Sequence, residues 1–330
     1  MVRLKDIAEM VGVSINTVSH ALKDKPDISA ETTKRIKDAA AALGYRPNLN
    51  ARSLVLRKTF TIGLAVTEIN NPVRVEFCER LRNFAEKDGY RLLTASLQDD
   101  WQKNIDNLLE RNIDGLIIGA IWNEPGRQLP FAVLEECRKN HIPIVLFGKA
   151  HSNEYADCVE IDLEESVYCL TEHLISRGYR TIASFSNENH FENAAGYERA
   201  MRENDLAHSI EYLPLSHAGM ENAYKDMCAI LEKKVKLPRA IIAANDLSAF
   251  GTIRALHEYG IKIPEECAVA GVDNTHFSRF SVPSLTSIGF DNGRCAETVW
   301  QLMMNRLQKK EKRKHVNVTV HQTLFPREST

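Results

Sequence analysis

Residues 13–22 read VSINTVSHAL. Ile15, Val18 and Leu22 recur at spacings of three and four, the stripe of a short amphipathic helix, and Ser14 stands where its hydroxyl caps the first free amides. That leaves Asn16, Thr17 and His20 together on the opposite side. They are an amide, a hydroxyl and an imidazole, each able to donate or accept a hydrogen bond. The ordinary fate of such a face is to be solvated. The other use of these groups is to read base edges: an Asn pairs bidentately with adenine, and a His ring N–H donates to guanine.

The flanking segments bear on the choice. Upstream, LKDIAEMVG sets Leu4, Ile7, Ala8 and Val11 on one helical stripe and ends at Gly12, which suits the positive φ of a tight turn. Downstream, a third helix starts at Ser29 with Glu31 in its first turn. It lines its inner face with Ile36, Ala39, Ala40 and Leu43 and stops at Gly44. Three short helices share one small core, and the second begins with short polar side chains. This is helix-turn-helix geometry, sized for a major groove. Charge agrees: residues 1–58 carry eleven Lys and Arg against six Asp and Glu, whereas the rest carries 31 against 38, in a chain of net charge −2. A basic head on an acidic body puts phosphate attraction where the helices are.

LKDIAEMVGVSINTVSHAL, then ISAETTKRI, then GYRPNLNARSL together resemble the head of the LacI/GalR (lactose- and galactose-repressor) family of transcription regulators. The resemblance extends over essentially the whole chain. It implies a small all-α helix-turn-helix domain over 1–46, a hinge over 47–59 and an effector-binding domain over 60–330. It also implies DNA contacts from Ser14, Ile15, Asn16, Thr17 and His20, with Ile15 making an apolar one. In the linker RPNLNARSLVLRKT, Pro47 disfavours helix just before it, and Asn48 can cap a short new helix carrying Arg52 and Leu54. Such a helix is shorter than the ~12–15 residues that persist alone in water, so it is read as ordering only on DNA. The family analogue of Leu54 wedges into the minor groove from each half of a dimer; Asn48 and Arg52 join it as expected DNA contacts.

The body reads as two α/β series. Near-continuous apolar runs at 61–66, 91–96, 115–120 and 143–148 alternate with helix-length segments, and a second set follows at 158–162, 181–186, 240–245 and 267–273. Such runs predict parallel sheets covered on both faces, here two doubly wound subdomains with a ligand cleft at the strands' carboxyl ends. This is similar to the periplasmic-binding-protein fold that the family carries. The first lobe is expected over about 60–157 and 290–318, the second over about 158–289 and 319–330. At 330 residues and 44% hydrophobic, the chain has enough apolar surface for these separate cores. The opening MVRLKDIAEM lacks the apolar segment of a secretory signal, and no run is long enough to span a bilayer, so a cytoplasmic protein without membrane association is expected. Seven scattered cysteines with no C-x-x-C pair suggest neither a disulfide framework nor a metal site.

The resemblance places effector contacts at strand ends: Asn70 and Arg74 in NNPVRVEF, Trp122 after GLIIGAI, Asn193 in NAAGY, Asn245 and Asp246 in AANDLSAFG, Asp273 in AGVDN, and Phe290. Two positions depart from the family pattern. Gly148 stands where an acid is usual, and Asn193 where an Arg is usual. Asp246 serves equally well as a helix cap, Asp273 as a turn residue, Trp122 as lobe packing and Arg74 as a solvated side chain. A saccharide is the expected effector, and an anionic non-sugar ligand meeting Arg74 and Lys149 is the alternative. The chain contains no G-x-S-x-G, H-E-x-x-H, P-loop or G-x-G-x-x-G motif, so an enzyme is not indicated and no cofactor is expected. A cytoplasmic small-molecule binding protein is the competing reading, but it has no use for the basic helical head. The terminal HVNVTVHQTLFPREST has no apolar heptads, which favours a homodimer over a tetramer.

Overall fold

The computed structural model describes residues 2–45, 56, 58–67, 70–97, 100–121, 131–149, 155–186, 191–308 and 314–330, and of 120–121, 131, 149 and 191–193 only the backbone. The expected hinge residues Asn48, Arg52 and Leu54, as well as Trp122, lie outside the described residues, as do the side chains of Lys149 and Asn193. The chain divides into two units, Met1–Thr59 and Phe60–Thr330.

In the first unit, α1 (Leu4–Val11), α2 (Ile15–Ala21) and α3 (Ala30–Ala42) close around Ile7, Val18, Ala21 and Ile36, none of which is exposed. Gly12 adopts φ 76°, ψ 36°, and its N–H returns to the Ala8 carbonyl at 2.9 Å. That left-handed conformation is open to glycine at little cost, and it allows α2 to begin after only three intervening residues. Ser14 Oγ accepts from the Thr17 amide at 3.0 Å, and Ser29 Oγ does the same for Thr32 at 3.2 Å. Arg35 Nη2 donates to the Val11 carbonyl at 3.2 Å, tying α3 to the end of α1.

The second unit contains two six-stranded sheets. The first uses β1 (Thr61–Val66), β2 (Arg91–Ser96), β3 (Gly115–Ile121), β4 (Ile144–Lys149), β5 (Asp157–Ile161) and β11 (Asn317–Val320) in the order β11-β5-β4-β3-β1-β2, all parallel. The second uses β6 (Ile182–Ser186), β7 (Glu211–Pro214), β8 (Ala240–Ala243), β9 (Ala268–Val272), β10 (Thr286–Gly289) and β12 (Thr323–Phe325) in the order β12-β10-β9-β8-β6-β7, with only β12 antiparallel. Helices α4 (Pro72–Lys87), α5 (Trp101–Leu109) and α6 (Phe131–Lys139) connect strands of the first sheet, while α7 (Leu163–Ser176), α8 (Phe191–Glu203), α9 (Met220–Glu232) and α10 (Asp246–Glu258) belong to the second. The final helix, α11 (Asn292–Gln308), returns to pack on α4.

The lobe boundary is moved by β5. Its partner is β4, through Val145 opposite Asp157 and Phe147 opposite Val159, so 158–161 belongs to the first lobe and not, as the sequence suggested, to the second. The β11 pairing also runs to Val320, past the expected return at 318. A short apolar strand suits either sheet, and only its neighbours assign it. In each sheet the strand order reverses beside the first strand: β1 lies between β2 and β3, and β6 between β7 and β8. Chains leave such points in opposite directions, which opens a crevice at the carboxyl ends.

β11 is held to β5 partly by a buried ion pair. Arg306 Nε and Nη2 grip Asp157 at 2.8 and 2.6 Å, and the Val316 amide donates to the same carboxylate at 2.8 Å. Burial pushes the Asp157 carboxyl up, but these bonds and the Arg306 charge outweigh it and hold the group below its usual value. The stabilisation is therefore complete above the unfolded value near about pH 4 and is lost as pH falls through the folded one. Asp157→Asn leaves Arg306 buried without its counter-charge, and urea unfolding at pH 7 is expected to show a loss of about 3–5 kcal/mol. The variant's deficit relative to wild type shrinks below about pH 4, where wild type loses the charge too.

Candidate nucleic-acid interface and effector cleft

On α2, Val18 and Ala21 are buried, whereas Asn16 is exposed and Ile15 is 49% exposed. Thr17 and Ser14 are joined through their hydroxyls at 2.8 Å, so both are first of all the helix cap. His20 is partly exposed and held on two sides. Its Nδ1 lies 2.5 Å from Asp27 Oδ2, and Lys25 Nζ lies 3.5 Å from its Nε2. The carboxylate only accepts and the ammonium only donates. A neutral ring with its proton on Nδ1 thus donates to Asp27 and accepts from Lys25 through Nε2. Donation to guanine from that nitrogen, as the sequence suggested, requires the doubly protonated ring. The His20 bond in turn holds the Asp27 carboxyl below its usual value. Asp27 lies seven residues beyond His20 and past the end of α2 at Ala21, so helical spacing does not pair them, and the turn between α2 and α3 brings it round.

The cleft residues come from both lobes. Asn71 caps α4 by accepting from the Val73 amide at 3.0 Å, and its Nδ2 reaches across to Asp273 Oδ2 at 3.2 Å, beyond the end of β9. Asn70, the residue expected from the sequence, is exposed beside it. Arg74, in the first turn of α4, is 8% exposed, with its Cζ 5.6 Å from the centre of the Phe147 ring near the end of β4. Phe147 stacks on Phe77 with centroids 4.2 Å apart and receives the edge of Phe290 at 6.0 Å. At 9% exposure Phe290 is a wall of the first lobe's core and not an open platform. Gly148 has φ 107°, a backbone at which the acid usual in that place is strained.

Asp246 is corrected outright. It is 0% exposed; Oδ2 accepts from the Thr275 amide at 2.7 Å, Thr275 Oγ1 at 3.1 Å and Ser278 Oγ at 2.5 Å, and Oδ1 accepts from Ser287 Oγ at 2.5 Å. With no exposed surface and four donors in place, it holds the loop after β9 to β10 and has no face for an effector. A Cβ on Gly271 meets Asp246 Oδ1 at 2.3 Å, so the adjacent strand makes room for it with a glycine. The cap of α10 is Asn245, whose Oδ1 accepts from the Ser248 amide at 2.8 Å while the residue stays partly exposed. Asp273 takes φ 115°, and its amide donates to the Ile288 carbonyl at 2.7 Å. It is both a turn residue and a cleft residue.

A helix-turn-helix head on a chain whose remainder is two parallel-sheet lobes with a crevice between them defines a DNA-binding regulator with a small-molecule module. Known proteins agree. The model of bacterial regulatory proteins, lacI family, matches residues 3–48, and that of the periplasmic binding protein-like domain matches residues 171–330. The HTH-type transcriptional repressor PurR of Histophilus somni (strain 129Pt) is 31% identical over 336 aligned residues, spanning 100% of this chain and 99% of the relative. The lac repressor dimer bound to operator and the anti-inducer ONPF superposes with a TM-score of 0.85 at 23% identity, over 100% of this chain and 99% of that one. A LacI family regulator from Enterococcus faecium with bound ribose gives a TM-score of 0.72 at 25% identity, over 82% and 98%. The chain belongs to the LacI family and is a transcriptional repressor by class. Among the described residues no helix is long and apolar enough to cross a membrane.

Asp246→Ala strips one amide and three hydroxyls of their acceptor. The expected loss is at least about 3 kcal/mol in urea unfolding, since each buried donor left unmade costs about 1–3 kcal/mol. A loss under about 1 kcal/mol contradicts the structural role.

Proposed function

We propose that this chain represses transcription as a homodimer. Two heads grip a pseudo-palindromic operator with a flexible central step, and a small polar effector closing the lobes alters the grip. The observation that carries the reading is the combination, on one chain, of an outward-facing Ile15/Asn16/His20 surface and the Asn71–Asp273 contact between lobes. Asn16 suits adenine and Ile15 suits an apolar contact such as a thymine methyl. Leu54 is proposed as the minor-groove wedge of the hinge. Such a protein works in the cytoplasm, beside its DNA.

A surface on the second lobe supports the dimer. Met220, Phe277, Phe280 and Val282 are 49%, 56%, 69% and 90% exposed around a groove of about 1100 Å³ that also includes Leu247 and Ile253. Monomers seldom leave so much contiguous apolar surface in water, and a two-fold operator needs a two-fold protein. A second copy of this chain is therefore the proposed occupant. For the effector, the ribose held by the Enterococcus faecium regulator supports a small polar ligand in the same fold. Support for a neutral saccharide rests on Asn245 and Asp273, with Asp246 withdrawn.

The test begins with selection of binding sites from random DNA. Wild type is expected to enrich a two-fold sequence, and failure to enrich any sinks the regulator. His20→Ala costs about 1–3 kcal/mol and relaxes one base position per half-site. Asp27→Asn is expected to relax that same position, because an amide no longer dictates which ring nitrogen faces outward. An unchanged base preference contradicts that role. Separately, Phe280→Glu is expected to shift light scattering at micromolar concentration from dimer towards monomer. A dimer of unchanged strength moves the interface elsewhere.

A further inference from the structure

We propose that the effector is an anion and that Arg74 is the residue that binds its carboxylate or phosphate. The inference rests on the effector-binding reading above and narrows its ligand class. A guanidinium keeps its charge at any physiological pH, so burial cannot relieve its cost by deprotonation; a counter-charge must do so. Arg74 is 8% exposed, and its Nε is out of reach of water with no hydrogen-bond partner among the described residues. Its guanidinium lies over the Phe147 ring, with its Cζ 5.6 Å from the centroid.

The nearby acids are engaged elsewhere. Glu76 accepts from Asn292 Nδ2 at 3.2 Å and from Arg80 at 3.4 Å. Asp273 receives Asn71, and Asp291 Oδ1 accepts the Arg294 amide at 3.0 Å. Among the described residues no carboxylate forms an ion pair with Arg74.

A second orphan lies on the same seam between α4 and α11. Asn292, also 8% exposed, has its Oδ1 buried without a donor while its Nδ2 is tied to Glu76, two residues beyond Arg74. One turn further along α11, the Cys295 thiol is pushed up to about 12 by burial, against the pull of the nearby Arg74 charge. The Arg74 charge and the Asn292 carbonyl thus lie on two helices that pack together, α4 and α11, with Arg74 one turn from the Asn71 contact to the other lobe. Together they call for a ligand with an anionic group for the guanidinium and a donor, such as a hydroxyl, for the amide oxygen. A neutral sugar satisfies the second and leaves the first unpaired.

The test follows thermal unfolding of the full-length protein as wild type, Arg74→Met and Arg74→Lys, at constant ionic strength in chloride, inorganic phosphate or acetate. In chloride, Arg74→Met is expected to melt no lower than wild type, because Met keeps a stem against Phe147 and removes an uncompensated charge. Phosphate or acetate is expected to raise the wild-type midpoint by about 2–4 °C at about tenfold its Kd, to leave Arg74→Met unmoved, and to have an intermediate effect on Arg74→Lys. Response to phosphate alone assigns a phosphate-bearing effector, and response to acetate alone a carboxylate. Equal responses in wild type and Arg74→Met overturn the proposal. So does an Arg74→Met variant that melts well below wild type in chloride, for then the guanidinium is a brace of the fold. If Arg74→Met does not fold, Arg74→Gln takes its place under the same criteria. An anion response in a protein that selects no DNA site sinks the regulator reading alone; a selected site without the anion response sinks only this one.

Discussion

A carboxylate with no exposed surface must find its hydrogen bonds within the protein, and around Asp246 that requirement organises the cleft side of the second lobe. Its two oxygens gather the Thr275 amide and hydroxyl, Ser278 and Ser287, and so bind the start of α10 to the loop after β9 and to β10. The same loop carries Asp273 at φ 115° and holds it where Asn71 of the first lobe can reach it. If the loop were free to move, the contact between lobes would lose its fixed end. Burial pushes the Asp246 carboxyl up against these four bonds, which shows how costly the charge is at that depth.

The first lobe meets this edge with a different chemistry. Phe77, Phe147 and Phe290 form a continuous aromatic wall, and Arg74 lies over it with no ion-pair partner among the described residues. One side of the cleft is therefore polar and hydrogen-bonded, while the other is aromatic and cationic. A ligand that pairs with this cation gains most when the lobes close and water is excluded, because charge pairing strengthens as the local dielectric falls.

The head works by separate means. Its core is a handful of Ile, Val and Ala residues, and the outward side of α2 carries short polar side chains set by two Ser caps and one glycine turn. The His20–Asp27 contact is an exposed pair, whose worth to stability is slight. Its effect is directional, since it orients the imidazole ring, with Lys25 Nζ 3.5 Å from the other nitrogen. The apolar surface around Phe277, Phe280 and Val282 has the opposite character, being non-directional and large, as an association surface needs to be.

Local patterns were legible without coordinates. The three head helices, their Ser caps and the Gly12 turn follow from periodicity and short-range chemistry, and the alternation of apolar strands with helices showed two parallel-sheet lobes. Where each strand pairs was not legible: β5 reads like any buried strand, and only the Val145–Asp157 register placed it in the first sheet. The same limit applied to the site. Asp246 looks like a ligand residue because it follows a strand, yet its partners lie 29 to 41 residues away and consume it. Asn71 and Asp273 are 202 residues apart, and Asp27 reaches His20 only through a turn. By itself the sequence determined what could be decided within a few residues: helix caps, turns, strand periodicity and the charge of the head. Tertiary structure alone decided which polar groups are satisfied and which, like Arg74, are not, because satisfaction depends on neighbours that the chain brings together only by folding.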